Sequence, residues 1–186
     1  LFQLDREARI QAVENGAQFP VNKKIFINFM PTSIYDPEYC LRTTMKAVKE
    51  FDLRKEQIVF EVVETEEVED RENLVEILDY YREEGVNVAL DDFGAGYSSL
   101  SMLKDLKPNY IKLDLGLVQA VTDDQLSAEL AQKILEVSRD NGITTLAEGI
   151  ETEEQYEWFR EKGVDYLQGY YFAKPSENPD LKENGA

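Results

Sequence analysis

The chain has 186 residues, with 20 basic and 38 acidic side chains and a formal net charge of −18. This acidic excess excludes a nucleic-acid polymer as a partner, because binding a phosphate backbone needs a basic surface. Histidine is absent and cysteine occurs once, which excludes a Ser-His-Asp triad, a histidine-ligated zinc ion and a cysteine-rich zinc site.

Apolar periodicity predicts strands and helices that alternate along the chain. Thr122 with Gln125, and Thr152 with Gln155, are typical of capping boxes at helix starts. In chain order the predicted elements are a helix over Leu4–Val13, a strand over Ile25–Met30, a helix from Asp36 to Phe51, a strand over Ile58–Val63, a helix from Asp70 to Gly85, a strand over Val86–Leu90, a helix over Ser98–Lys107, a strand over Tyr110–Asp114, a helix between Thr122 and Gly142, a strand over Thr144–Ala147, a helix from Thr152 to Gly163 and a strand over Tyr166–Phe172.

This alternation is typical of parallel βαβ units, so we predict an α/β fold, a TIM-like (β/α) barrel with six βα units. Such barrels have eight strands and about 250 residues, and we therefore expect two more strands and a helix upstream of Leu1. Residues 1–175 are predicted to form one domain, and 176–186 a polar tail. No apolar run approaches the roughly 18 residues of a membrane span and no signal peptide is visible, so we expect a cytoplasmic protein with no membrane segment.

Each predicted strand carries polar residues near its carboxyl end. In a parallel barrel the inward-facing residues at these ends converge at one mouth, where active sites are built. Several carboxylates there need cations to stay ionised, and with no histidine the ligands of a metal ion must be oxygens, which suits Mg²⁺, Mn²⁺ or Ca²⁺. With the neutral oxygen of Asn28 the ligand set suits Mg²⁺ or Mn²⁺. One lysine among them suggests two-metal hydrolysis of a phosphoester. These residues are Asn28, Glu61, Glu64, Asp91, Asp92, Lys112, Asp114, Glu148, Glu151 and Gln168.

The stretch from Asp91 to Leu100 follows the central predicted strand. Two adjacent carboxylates are followed by Gly94 and Gly96, whose backbone freedom allows a loop with two arrangements. An acidic turn at the surface is the alternative interpretation of these residues alone. The matching positions of polar residues on the other strands favour a shared site.

Six motifs occur in order along the chain: Ile27-Asn28, Phe60-Glu61-Val62-Val63-Glu64, the run from Asp91 to Leu100, Ile111-Lys112-Leu113-Asp114, the run from Ala147 to Thr152 and Gln168-Gly169-Tyr170. Together they resemble the EAL family, which are phosphodiesterases of the bacterial second messenger cyclic di-GMP. The resemblance covers nearly the whole chain. It implies a modified TIM barrel with two Mg²⁺ or Mn²⁺ ions at its mouth.

The resemblance also implies a role for each matching residue. Asn28, Glu61 and Asp91 correspond to ligands of the first ion, and Asp91 with Asp92 to ligands of the second. Glu148 corresponds to the catalytic glutamate that supports the metal pair.

Lys112 corresponds to the lysine that contacts the attacking water, and Asp114 and Gln168 to substrate-side residues. The family also has a loop, anchored by a glutamate, that couples the site to dimerisation, which implies a homodimer. The residues linked to that coupling are Glu64, Gly94, Gly96, Tyr97, Ser98, Ser99 and Glu151.

The expected activity is metal-dependent hydrolysis of cyclic di-GMP to the linear dinucleotide pGpG. The family's Glu-Ala-Leu motif would lie upstream of Leu1, so we expect the 186-residue chain alone to be inactive and a sensory or regulatory domain to be fused upstream. A non-catalytic cyclic di-GMP receptor that signals through a partner is the main alternative, and an unrelated metal-dependent barrel enzyme is a second.

Overall fold

Strands and helices alternate in the computed structural model, which describes residues 2–29, 37–63, 71–95 and 99–176. The elements are α1 (Phe2–Gly16), β1 (Ile25–Asn28), α2 (Pro37–Glu50), β2 (Ile58–Val63), α3 (Arg71–Glu83), β3 (Asn87–Phe93), α4 (Ser99–Leu106), β4 (Tyr110–Leu113), α5 (Leu115–Ala120), α6 (Gln125–Asp140), β5 (Thr144–Ala147), α7 (Glu153–Lys162) and β6 (Tyr166–Leu167). A short 3₁₀ turn, Lys55–Gln57, leads into β2.

Six strands in the described part of the chain form one sheet in the order β1-β2-β3-β4-β5-β6. Every pairing is parallel, and the register places Asn28 beside Glu61 and Lys112 beside Leu146. Parallel neighbours need a crossover, and the helices between the strands supply it. The result is a curled half-barrel, which confirms the predicted TIM-like fold class.

The outer face of the sheet packs against the helices and contains most of the core. Phe60 and Leu90 of the strands are fully buried there with Leu78 and Tyr81 of α3. These helix positions follow the 3.6-residue period that predicted the helix. Burying such side chains supplies the main stabilisation of the domain, about 1.5–3 kcal/mol for each large apolar group.

The inner face of the sheet carries a thinner apolar layer. Val59, Ala89 and Tyr110 form a separate buried cluster, with Phe26 packed against it. The rings of Phe26 and Tyr110 meet edge to face, with centroids 5.6 Å apart. Because side chains alternate along a strand, the residues two positions further on lie on this same inner face, one layer closer to the mouth.

The carboxyl ends of two predicted strands differ from the observed ends by three residues or more. Strand β3 continues to Phe93, so that Asp91 and Asp92 lie inside the strand rather than after it. Strand β6 ends at Leu167 instead of Phe172. The chain turns there because the N–H of Tyr171 donates to the carbonyl of Ile150, which replaces a continued ladder.

The predicted capping box at Thr122 is wrong. Asp124 is the N-cap of α6, and its side chain accepts from the N–H of Ser127 at 2.8 Å. The predicted box at Thr152 is confirmed, with Gln155 as its partner. Helix α5 was not predicted at all.

The apolar residues at helical spacing that predict α6 from the sequence are Leu126, Leu130, Ile134 and Val137. The helix buries a different set. Its buried positions are Ala131, Leu135 and Ser138. Leu126 is instead 73% exposed. None of the helices in the described ranges is both long and apolar enough to cross a bilayer.

Candidate active site

Four of the predicted residues meet at the carboxyl ends of the strands. The ammonium Nζ of Lys112 lies 2.5 Å from Glu61 Oε1, 2.9 Å from Asp91 Oδ1 and 2.9 Å from Glu148 Oε1. Glu61, Asp91 and Lys112 each stand two residues after a member of the inner apolar layer, so strand alternation alone directs them to this face. The sequence prediction that these side chains converge is supported by the geometry.

Burial and charge act against each other in this cluster. Desolvation by burial raises the pKa of Glu61 and of Glu148, and the nearby ammonium of Lys112 opposes that rise. Burial alone would lower the pKa of Lys112, but the attraction of Glu61 and hydrogen bonds to Glu61 and Asp91 raise it above its usual range. One cation faces three carboxylates, so excess negative charge remains that a further cation would neutralise.

Asp91, Asp92 and Glu148 form a group that could hold a divalent ion. One carboxylate oxygen from each lies within 4.8 Å of the others. Asp92 has a positive φ of 53°, and its N–H donates to Asp91 Oδ1 at 2.9 Å, which fixes the two acids relative to each other. An all-oxygen donor set fits Mg²⁺ or Mn²⁺, and the excess negative charge fits a cation.

Asn28, Asp114 and Gln168 lie around this buried centre. Asn28 is exposed at the end of β1 and pairs with Glu61 in the register. Asp114 caps α5, where its Oδ2 accepts from the N–H groups of Gly116 at 2.8 Å and Leu117 at 3.2 Å. Gln168 is exposed directly after β6. The sequence motifs predict only a substrate-side role for Asp114 and not this cap, although an Asp before a helix is a known capping signal.

The structure describes only some of the residues predicted to couple the site to dimerisation. Gly94 adopts a φ of 104° after β3, a conformation that glycine accepts without strain. Glu151 is exposed, and its N–H donates to Gln155 Oε1. Ser99 begins α4. The remaining members, Glu64, Gly96, Tyr97 and Ser98, lie outside the described residues.

The fold and the acidic mouth define a barrel domain with its polar groups at the carboxyl ends of the strands. The sequence profile of the EAL domain matches residues 1–175. The chain therefore belongs to the EAL domain family, as its motifs predicted.

The chain is similar to proteins that are named cyclic di-GMP phosphodiesterases. The "Probable cyclic di-GMP phosphodiesterase PdeG" of Escherichia coli (strain K12) is 37% identical over 166 residues, which cover 89% of this chain and 32% of that protein. The "Cyclic di-GMP phosphodiesterase PdeF" of the same organism is 29% identical over 162 residues, which cover 87% of this chain and 21% of that protein. The chain thus spans about a third or less of the length of these relatives.

Solved structures match the same fold. A standalone versatile EAL protein from Vibrio cholerae O395 in its c-di-GMP bound form has a TM-score of 0.86 and 40% identity, covering 94% of this chain and 73% of that one. A manganese/cy-diGMP complex of Klebsiella pneumoniae BlrP1 has a TM-score of 0.86 and 32% identity, covering 94% of this chain and 45% of that one.

Proposed function

We propose that the protein hydrolyses cyclic di-GMP to the linear dinucleotide pGpG with the help of two Mg²⁺ or Mn²⁺ ions. The observation that carries this proposal is the position of Lys112 among three carboxylates at the mouth. The names of the relatives and the nucleotide complexes of the similar structures support the choice of substrate.

The residues that would hold the ions are Asn28, Glu61, Asp91, Asp92 and Glu148. Once bound, divalent ions supply Lewis acidity at the scissile phosphate and make a nearby water more acidic. The contribution of the chain is to fix the ligand oxygens before the ions arrive. Strand β3 and the turn after β5 do this by holding Asp91, Asp92 and Glu148 within one 4.8 Å group.

The proposed role of Lys112 is to orient the attacking water and to stabilise charge on the phosphate. With no ion bound, the surrounding carboxylates raise the pKa of Lys112, and its protonated ammonium is a hydrogen-bond donor. One ring bond is cut, so a single linear product is expected.

Asp114 and Gln168 are proposed to contact the nucleotide. Both hydrogen bonds of the α5 cap use Oδ2 of Asp114, which leaves Oδ1 to accept from a guanine N–H. Gln168 is exposed beside the mouth and has both a donor and an acceptor in its amide.

A test must separate the enzyme from the alternative, a receptor that binds cyclic di-GMP without hydrolysing it. The complete domain of the parent protein would be incubated with cyclic di-GMP and Mn²⁺, and the products resolved by chromatography, with a Lys112→Ala variant as control. Formation of pGpG by the parent but not by the variant supports the proposal. Binding of the nucleotide by both proteins with no linear product would favour the receptor.

Dimerisation and cellular context are also part of the proposal. We propose a cytoplasmic homodimer in which the loop from Phe93 to Leu100, anchored by Glu64, couples the site to the partner, and a sensory or regulatory domain upstream. Glu64→Ala is then expected to weaken activity and dimerisation together, which sedimentation and a rate assay can follow. Unchanged activity with an unchanged oligomeric state would contradict the coupling.

A further inference from the structure

The turn after β5, from Glu148 to Glu151, carries a residue of the site and is held by the turn after β6. The N–H of Ile150 donates to the carbonyl of Gln168 at 3.0 Å, and the N–H of Tyr171 donates to the carbonyl of Ile150 at 3.0 Å. Before them, the N–H of Gln168 donates to Ala147 at 2.9 Å. The peptides around fully buried Ile150 are therefore bonded on both sides to the segment that contains Gly169.

Gly169 allows this close approach of the two backbones. A Cβ at position 169 would lie 2.0 Å from the carbonyl oxygen of Ile150 and 2.3 Å from its nitrogen. Backbone atoms cannot rotate away as a side-chain end can, so any larger residue must push the two turns apart. The φ of Gly169 is outside the left-handed region, so the contact alone requires glycine here.

Leu115 packs against the same turn at Gly149. A Cβ on Gly149, whose φ is 74°, would lie 1.9 Å from Leu115 Cδ1. Leu115, the residue after Asp114, is 48% exposed. Its side chain lies over Gly149, the residue that follows Glu148. The turn therefore lies between the leucine of α5 and the glycine after β6.

We propose that Gly169 is a positioning residue for Glu148, with Leu115 as its counterpart across the turn. Glu148 Oε1 lies 2.9 Å from Lys112 Nζ and belongs to the acidic group with Asp91 and Asp92. A shift of the turn moves this carboxylate away from both. The inference rests on the proposed function only in treating Glu148 as a residue that holds the metal ion.

The test is a double-mutant cycle on Mn²⁺ affinity, measured by titration calorimetry with no nucleotide present. Gly169→Ala is expected to weaken Mn²⁺ binding about 10–100-fold, as the loss of a supporting residue does at metal sites. In a Glu148→Gln background the same change is expected to cost less than about twofold, because the carboxylate it positions is already gone. A merely structural glycine would give equal losses in both backgrounds, and that result would overturn the inference.

Gly142→Ala is the matched control. Gly142 also lies beside β5, with a φ of 68°, but a Cβ there meets no atom within 4 Å. Its substitution is expected to leave Mn²⁺ affinity unchanged while it adds the strain of alanine at positive φ. Equal effects of Gly142→Ala and Gly169→Ala would also overturn the inference.

A second variant covers the case in which Gly169→Ala does not fold. Leu115→Ala removes the side chain that packs on the other side of the turn, at a half-exposed position. Leu126→Ala, at an exposed leucine of α6, is its control. We expect weaker Mn²⁺ binding for the first only, again absent in the Glu148→Gln background. If Glu148→Gln itself leaves Mn²⁺ affinity unchanged, the inference fails, whereas Mn²⁺ binding through Glu148 without hydrolysis would reject only the proposed function.

Discussion

The centre and the rim of the site differ in how much freedom their side chains have. Lys112 is 6% exposed and Glu61 5% exposed, whereas Asn28 and Gln168 at the rim are open to solvent. Buried charges must balance one another, because leaving one uncompensated costs several kcal/mol. Residues at the rim carry no such constraint. Stability and chemistry are therefore coupled at the centre and separable at the rim.

The largest expected effect is on turnover at the centre. Lys112→Ala in an active form of the protein is expected to lower the hydrolysis rate roughly 10²–10⁴-fold, since it removes a group that orients the reacting water. Affinity for cyclic di-GMP should change less than about tenfold, because other residues hold the metal ions. Single-turnover kinetics and equilibrium binding measure the two quantities. A parallel loss of affinity would show that the centre also binds the nucleotide.

Removing the same charge should also destabilise the metal-free fold. Lys112→Met leaves Glu61, Asp91 and Glu148 without their cation, and we expect a loss of about 3 kcal/mol. This corresponds to a fall in Tm of roughly 6–12 °C for a domain of this size. Thermal unfolding followed by circular dichroism in the presence of a chelator measures it.

Lys133→Met provides the comparison for that experiment. Lys133 pairs with Glu136 at 2.6 Å on the exposed face of α6. Exposed ion pairs contribute little, so we expect a change of less than about 1 kcal/mol. Equal losses for Lys112→Met and Lys133→Met would contradict the distinction between buried and exposed charge.

The raised pKa values of Glu61 and Glu148 predict a dependence of metal binding on pH. Their cause is first of all desolvation, so in the fold each acid keeps its proton to a higher pH than it would in water. A proton must leave before a cation binds, and Mn²⁺ affinity should therefore rise with pH up to a higher value than for free carboxylates. Calorimetric titrations at several pH values test this.

A matched acid distinguishes this effect from general charge. The pKa of Glu136 is lowered, mainly by a hydrogen bond from Lys133. Glu136→Gln should leave the pH profile of Mn²⁺ binding unchanged, whereas Glu61→Gln should alter it. A profile that does not respond to either change would contradict the assignment.

The smallest effect is expected at the rim. Gln168→Ala should lower the affinity for cyclic di-GMP by about tenfold or less, the size of one lost hydrogen bond to a ligand. The free energy of unfolding should change by less than about 0.5 kcal/mol, because the side chain is exposed. Gln125→Ala at the start of α6 serves as control for both measurements. A large loss of stability in Gln168→Ala would place this residue with the centre instead.

Period and topology are enough to predict that the side chains of the centre meet. Residues two apart on a strand share a face, and parallel strands end at the same edge, so Glu61, Asp91 and Lys112 had to converge. Features that depend on contacts between distant segments could not be read in this way. Strand β6 is short because the segment after it turns to hydrogen-bond with Ile150. No local sequence pattern indicates this contact.

Helix ends show the same limit at a smaller scale. Thr122 and Asp124 both precede an apolar run and both suit an N-cap. The choice of Asp124 depends on where α5 ends, since the N–H of Asp124 donates to the carbonyl of Ala120 at 2.8 Å. Likewise Asp114 is a residue type that suits a binding site and stands at a position that suits a helix N-cap. In the structure its Oδ2 caps α5.

The order of the strands has a consequence for synthesis on the ribosome. Strands that neighbour each other in the sheet are also consecutive in sequence, so each pairing can form as soon as its unit emerges. The charges then arrive in a fixed sequence, with Glu61 and Asp91 before Lys112 and with Glu148 last. We expect a ribosome-bound chain that ends after β3 to remain loosely packed, because Glu61 and Asp91 still lack the ammonium of Lys112. The emergence of β4 then completes the inner apolar layer. Protease resistance of ribosome-bound chains of increasing length would report that step.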